Sequence, residues 1–370
     1  MRVAWDARVL VNGPLRGMGT YALHLLQELR NCRPNLDLVL FHDGGNQPLP
    51  FTHVRSKRIG PARGYRWQLW EQFGLPLHAV IARSDLIHSL ANTTPPRSPL
   101  PRVVTLHDAM PFHSWNTEAN QLPYFQHTQR RALASADIII TVSDYSKQEI
   151  CQVLRVASEK VRVIPQAPNP DLIRPSLEQR QSVISTLGIS PPFVLALAAT
   201  ADRKNTRGVL RAFAALPREV ADVTLVLTGI NKPLKQTLLE EMRSLQVPED
   251  RVRLLDFVST AQLAALYGEC AVFCFLSLYE GFGLPILDAM QCGAPVVCSN
   301  RTSCPEVAGE AAVIVDPANS EEVAAGICAV LARDADAQEV WRQRGFARSA
   351  GFTWRQTAEL TADVYDSVVS

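Results

Sequence analysis

No apolar run in the 370-residue sequence approaches the roughly 20 residues that a helix needs to span a bilayer. Met1 to Asp6 enters a buried-strand pattern directly, without the charged and apolar regions of a signal peptide. Secretion and integral membrane insertion are therefore not expected. Cysteine is sparse and scattered: the eight residues (Cys32, Cys151, Cys270, Cys274, Cys292, Cys298, Cys304, Cys328) form neither a CxxC pair nor a Cys/His cluster with ligand spacing. They read as reduced core thiols of a cytosolic protein, and no metal centre is expected. An excess of one charge is missing too, since 37 Lys+Arg stand against 36 Asp+Glu for a net charge of +1. No global field favours nucleic acid, and any anion site must be local. No Ser/His/Asp order, HExxH or P-loop lysine occurs, nor a complete GxGxxG with an acidic residue about 20 positions on. Hydrolase, NTPase and dehydrogenase readings lose their usual support.

What is present is an ordinary globular composition, 47% hydrophobic and 20% charged, with no stretch poor enough in apolar residues to read as a disordered tail. Length suggests two domains. Short apolar runs alternate with segments of helical period, the mark of βα units around a parallel sheet. Val3–Trp5, Leu38–Phe41, Val103–Leu106, Ile138–Val142 and Val161–Ile164 read as strands of a first sheet, and Tyr21, Leu25, Leu26 and Leu29 as one face of an early helix. The cluster from Pro165 to Pro170 can continue neither a helix nor a central strand and reads as a linker. A second series follows, with strands Phe193–Leu197, Val223–Leu227, Val252–Leu255, Val272–Phe275, Pro295–Cys298 and Val313–Val315. Trp354, Ala358, Thr361 and Tyr365 predict a last helix with one buried face. The expected division is 1–168 and 169–351, with 352–370 packing back on the first domain.

Several local features could carry chemistry. Glu280-Gly281-Phe282-Gly283-Leu284-Pro285 stands between an apolar run and a helical stretch. Its glycines and its proline at the helix start predict exposed N–H donors suited to an anion or to a ring of hydroxyls; the plainer reading is a tight turn with Glu280 solvated. Asp202-Arg203-Lys204-Asn205 follows a strand and opens a helix, where two cations oppose the helix dipole and so need a reason. Diphosphate is the natural guest for them at that edge of a parallel sheet. Gly17-Met18-Gly19-Thr20 holds the corresponding position after the first strand, and His107-Asp108 ends another strand of the same half. A lone histidine there is as well explained by structural hydrogen bonding as by catalysis. The basic and aromatic stretch Arg55, Lys57, Arg58, Arg63, Arg66, Trp67 and Trp70 admits two readings, a contact with lipid headgroups or a solvated loop followed by a helix whose tryptophans face the core.

Together these pieces resemble glycosyltransferase family 4, the retaining GT-B enzymes, along essentially the whole chain. Leu278–Met290 with Gln291-Cys292-Gly293-Ala294-Pro295-Val296-Val297 is similar to the family's E-x7-E region. Trp5-Asp6-Ala7-Arg8, Gly17–Tyr21, Leu106-His107-Asp108, Thr141–Ser146 and Arg203-Lys204-Asn205 resemble a subgroup rich in mannosyltransferases. The resemblance implies an α/β architecture of two Rossmann-like domains whose parallel sheets face across a cleft. It implies that Arg203 and Lys204 hold the donor diphosphate and offset the charge that grows on it, that Gly17 and Gly19 lie across the same diphosphate, and that Glu280 with the amides of Phe282, Gly283 and Leu284 grips the donor sugar. His107 would approach that sugar from the first domain, and backbone near Phe257 and Val258 would read the base. On this reading Arg203 and Lys204 face Glu280 across an interdomain crevice.

Three positions depart from the family pattern. The second glutamate is Asp288, one methylene shorter toward the ribose; Ala198 replaces a frequent glycine, and Asp202 a frequent proline. The expected activity is hexose transfer, with mannose from GDP-mannose favoured, to a glycan or lipid-linked glycan in cell-envelope polysaccharide synthesis. No cofactor or metal is expected, because the Arg-Lys pair supplies positive charge. A cytoplasmic protein is expected, with peripheral contact at the inner membrane face through Arg55–Trp70. Two alternatives stay open, a nucleotide-sugar epimerase of the same fold and a non-catalytic nucleotide-sugar-binding relative.

Overall fold

The computed structural model describes every residue except 13, 14, 16, 52, 53, 61–65, 114–124 and 221. Internal contacts divide the chain into two units, Met1–Gln166 with Thr353–Ser370, and Ala167–Phe352. The division falls inside the proline cluster, two residues before the position expected from sequence.

The first unit holds a sheet of β1 (Arg2–Asp6), β2 (Asp37–His42), β3 (Arg55–Arg58), β4 (Leu86–Ser89), β5 (Arg102–Thr105), β6 (Ile138–Thr141) and β7 (Val161–Val163). Their order is β3-β2-β1-β4-β5-β6-β7, and each pairing is parallel. The chain therefore works outward from β1 in one direction and returns to build outward from β4 in the other, which makes β1/β4 a switch point, the place at whose carboxyl end such sheets take ligands. Two of these strands escape sequence reading. Leu86–Ser89 is short and carries a histidine, yet it is buried throughout. Its His88 is satisfied by the Tyr365 hydroxyl at 2.6 Å and Thr105 Oγ1 at 2.9 Å. Arg55–Arg58 is an exposed edge strand rather than a solvated loop, and its charges suit an edge that must not recruit another strand. Trp70 is buried beside Ile59, Leu75 and Ala79, so this tryptophan faces the core; Arg63 lies outside the described residues.

Helix Trp354–Val369 packs on helix Met18–Cys32 in this unit. Its Tyr365 hydroxyl accepts from Trp5 Nε1 at 3.1 Å, and its Trp354 ring lies 5.8 Å from that of Tyr21. Thr357 Oγ1 donates to the carbonyl of Pro165 at 2.8 Å.

The second unit holds β8 (Phe193–Leu197), β9 (Thr224–Thr228), β10 (Val252–Leu255), β11 (Val272–Phe275), β12 (Val296–Ser299) and β13 (Ala312–Val315) in the order β10-β9-β8-β11-β12-β13, again parallel. Strands buried on both faces need near-continuous apolar runs, and that is what Phe193–Leu197 and Val272–Phe275 supply. Its core gathers Val194, Leu225, Leu227 and Val272 with Leu210 and Phe213 of helix Thr206–Ala214 and Ile327 of helix Ser320–Leu331. The switch point is β8/β11, so the loops after those two strands flank the crevice where such sheets take ligands. No helix among the described residues is long and apolar enough to cross a membrane.

Candidate active site

The two most suggestive motifs of the sequence meet at that switch point. After β8 the chain runs through Ala198–Ala201 into a single 3-10 turn, Asp202–Lys204, and Asn205 then enters helix Thr206–Ala214 at a φ of 52°. Asparagine tolerates this left-handed conformation better than most residues. Its Nδ2 donates to the carbonyls of Leu276 at 3.2 Å and Pro317 at 3.0 Å, and the Leu278 amide donates to the Arg203 carbonyl at 2.7 Å. These bonds stitch the loop after β8 to the loop after β11.

Glu280 lies on the second of those loops. Lys204 Nζ donates to Glu280 Oε1 at 2.6 Å, and Arg203 Nη1 stands 3.6 Å from Oε2. Lys204 also lies 5.7 Å from the centre of the Phe275 ring, a cation–π contact. The Glu280 amide donates to Thr302 Oγ1 at 3.1 Å, and Ser303 Oγ lies 3.0 Å and 2.9 Å from the carbonyls of Glu280 and Phe282. Gly283 precedes helix Leu284–Gln291 at a φ of 99°, a conformation that glycine adopts at little cost, and Pro285 follows in the first turn. The carboxylate is thus held rigidly beside a helix N-terminus and two cations. All three charged residues belong to the second unit, which corrects the expectation that Arg203 and Lys204 face Glu280 across a boundary between domains.

Further along that helix, Asp288 is half-buried, and burial pushes its carboxyl up to about 7; a hydrogen bond from the Asn169 amide at 2.8 Å works the other way. Past β10, Phe257 is exposed and Val258 half-buried. Gly229, after β9, was not singled out in the sequence. A β-carbon there would lie 2.9 Å from the Ala198 carbonyl oxygen and 3.9 Å from Phe257, and its φ is 93°. A Thr-Gly pair directly after an apolar strand was the signal that could have found it. Ala198 donates its amide to Thr228 at 2.8 Å and Asp202 opens the 3-10 turn, so both departures from the family pattern fit the backbone.

The first unit holds the other candidates. Gly17, at a φ of 49°, starts helix Met18–Cys32, and a β-carbon on Gly19 would lie 3.0 Å from the Val9 carbonyl oxygen. Gly19 therefore owes its identity to close packing against Val9 as well. Arg16 lies outside the described residues. His107 is buried, with the Tyr21 ring edge-on at 4.9 Å. Gln166 Nε2 donates to its Nδ1 at 3.0 Å, which leaves the proton on Nε2, 3.4 Å from the Leu90 carbonyl. Burial pushes the imidazole down to about 4, so at neutral pH it is an uncharged hydrogen-bond donor and not an acid. Among the described residues no group of His, Cys, Asp and Glu is arranged to hold a metal ion.

A family model described as glycosyl transferases group 1 matches residues 179–348, and one described as glycosyltransferase family 4 matches residues 15–172. O-antigen chain mannosyltransferase B of Escherichia coli is 31% identical over 370 aligned residues, covering 95% of this chain and 96% of that protein. Serotype-specific mannosyltransferase WbdA of Escherichia coli is 30% identical over 272 residues, 72% of this chain but only 33% of WbdA. Anabaena Alr3699/HepE, solved in complex with UDP-glucose, superposes with a TM-score of 0.75 at 20% identity over 99% of this chain and 100% of that one, a likeness of fold.

Proposed function

The chain belongs to glycosyltransferase family 4, and from that premise we propose that it transfers mannose from GDP-mannose, with retention of configuration, to a hydroxyl of a glycan or lipid-linked glycan in cell-envelope polysaccharide synthesis. The observation that carries this reading is the Lys204–Glu280 pair at the β8/β11 switch point, with Arg203 beside it. A diphosphate entering there exchanges the Glu280 carboxylate for its own oxygens on Lys204 and Arg203, and charge-assisted bonds of this kind are the stronger ones. As the glycosidic bond breaks, charge grows on the diphosphate, and the two cations meet it without reorganisation. In this reading a metal is not required, since Arg203 and Lys204 carry the compensating charge.

Released from Lys204, Glu280 accepts from hydroxyls of the donor sugar, and the amides of Phe282, Gly283 and Leu284 are assigned to the same sugar. Backbone at Phe257 and Val258 meets the base, Asp288 the ribose. Gly17 and Gly19 are assigned to the diphosphate and His107 to the sugar. The acceptor hydroxyl attacks the anomeric carbon, and its proton leaves with the departing diphosphate oxygen. Mannose is favoured because the relative that matches nearly end to end is named as an O-antigen chain mannosyltransferase. The reaction takes place in the cytoplasm, with peripheral contact at the inner membrane face.

A thermal-shift panel of GDP-mannose, UDP-glucose and UDP-N-acetylglucosamine tests the donor, followed by product detection with the best binder. A donor at 100 times its dissociation constant adds about 2.7 kcal/mol to the folded state. GDP-mannose should give the largest shift and a mannosylated product. Turnover of donor to an epimer without any acceptor, or binding without transfer across a range of acceptors, would overturn the assignment.

A further inference from the structure

The segment from Arg66 to Ile81 is continuous: helix Arg66–Leu69, a π-helical turn Trp70–Gly74, and helix Leu75–Ile81. One side packs on the sheet, where Trp70, Leu75 and Ala79 join Ala4, Val39, Phe41, Ile59 and Ile87. The other side presents Leu69, Phe73, Leu77, Val80 and Ile81, with Phe73 65% and Ile81 60% exposed. A four-residue step overshoots an α-turn of about 3.6 residues and falls short of the wider π turn. The π turn therefore keeps positions 69, 73, 77 and 81 in one row. A stripe of this kind on a soluble surface marks an interaction site.

Charge says what the stripe meets. The segment's single carboxylate, Glu71, is fully buried against Arg8 at 3.0 Å, which leaves no acidic side chain on the outer face. Parallel pairing sets Arg55 beside Val39 and Lys57 beside Phe41, so both cations lie on the sheet face that this helix covers, at its edge and exposed; Arg55 is paired with Asp37 at 3.1 Å, and Lys57 is the cation offered outward. Arg83, also exposed, stands just beyond the helix end. Apolar side chains flanked by cations match a bilayer with anionic headgroups, in which the stripe enters the acyl boundary and the cations stay at the headgroups. A second copy of the chain would instead set these cations against one another.

We infer that the outer face of residues 66–81 docks on an anionic lipid bilayer, with Leu69, Phe73, Leu77, Val80 and Ile81 entering it and Lys57 and Arg83 at the headgroups. This deepens the membrane contact in the proposed function by moving it from the tryptophans to the opposite side of the helix, and it does not depend on sugar transfer. The test is sedimentation of the full chain with phosphatidylcholine vesicles, with and without one third phosphatidylglycerol, in the absence of donor. The chain should pellet with the anionic vesicles alone, less so as salt rises. Phe73→Asp with Leu77→Asp should weaken partitioning by at least about tenfold, and Lys57→Glu by about fivefold at low salt. Both variants should keep the wild-type donor thermal shift, which separates docking from folding and from the glycosyltransferase reading. Equal binding to neutral vesicles, unchanged binding by the Phe73/Leu77 variant, or a dimer in sedimentation velocity that the same variant dissolves would overturn the inference.

Discussion

Lys204 Nζ lies 2.6 Å from Glu280 Oε1, so the cation assigned to the diphosphate and the carboxylate assigned to the sugar are each other's counter-ion before a donor arrives. Both side chains are largely shielded from solvent, which makes the exchange of partners on donor binding energetically significant. The two residues should therefore respond oppositely to truncation. Lys204→Ala with Arg203→Ala removes two charge-assisted contacts and should weaken GDP binding by about 10²-fold or more. Glu280→Ala frees Lys204 and should leave GDP affinity equal or improved while transfer falls by about 10²-fold. Isothermal titration with GDP and a product assay decide it; parallel losses in both variants would remove Glu280 from the sugar.

Asn205 anchors the cations by a different route. Its amide donates to two carbonyls, Leu276 and Pro317, so Asn205→Asp sets a carboxylate oxygen against both. The expected cost is about 1–3 kcal/mol of stability, together with a raised KM for donor, because the Arg203–Lys204 turn ends on this residue. Gly208 belongs to the same test. A β-carbon there would run into the Asn205 side-chain amide, so Gly208→Ala should produce a milder version of the same two effects. A stability loss with an unchanged KM would show that the bridge supports the fold and not the site.

The strands with apolar runs and the helix starting at Gly283 were legible because their signals are local: continuous hydrophobic stretches, paired glycines, a proline in the first turn. Leu86–Ser89 was not, since a four-residue strand with a buried histidine looks polar until Tyr365 and Thr105, 277 and 17 positions away, are seen to satisfy it. Arg203, Lys204 and Glu280 were identifiable as types of residue at strand ends. Their meeting at one switch point depended on β8 lying beside β11, a strand order that spacing does not encode. Gly229 acts through close approach and leaves only a Thr-Gly pair after a strand as its signal, while Gln166 acts through a single hydrogen bond to His107 and leaves no pattern in sequence.

Acid should act on this protein with two opposing signs. Burial holds His107 at about 4 and His88 at about 3, below the ordinary histidine value of 6.5, so their stability contribution is present above 6.5 and is lost as pH falls toward those values. Asp288 is raised from 3.8 to about 7, so its contribution is full below 3.8 and is lost as pH rises through 7. Between pH 4 and 6.5 the terms oppose, and variants separate them. Asp288→Asn should steepen the fall of Tm on acidification, and His88→Asn should flatten it. If Asp288 accepts a ribose hydroxyl, donor affinity should also rise as pH passes upward through 7, and Asp288→Asn should abolish that rise. A pH-independent wild-type donor affinity across that range would take Asp288 off the ribose.

Arg8 presents the sharpest stability test in the first unit. It donates to Asp6 through Nε at 2.9 Å and Nη2 at 2.5 Å, and to Glu71 at 3.0 Å, while its guanidinium lies 4.3 Å from the Trp70 ring centre. Glu71 and Gln129 both come from π-helical turns, a rare conformation, and Gln129 Nε2 donates to Glu71 Oε1 at 2.5 Å while its own oxygen accepts from the Thr94 amide at 3.0 Å. Arg8→Met keeps much of the stem but takes one guanidinium from two buried carboxylates, at a cost of about 3–5 kcal/mol. Glu71→Gln still accepts from Gln129, so on its own it should cost less. Combined with Arg8→Met it removes one of those two buried charges, and the pair should be less destabilised than the sum of the single variants by at least about 0.5 kcal/mol. Urea unfolding of all four proteins measures that coupling. Strict additivity would mean that Arg8 is held by Asp6 and Trp70 alone, and that the Glu71 contact contributes nothing to the first unit.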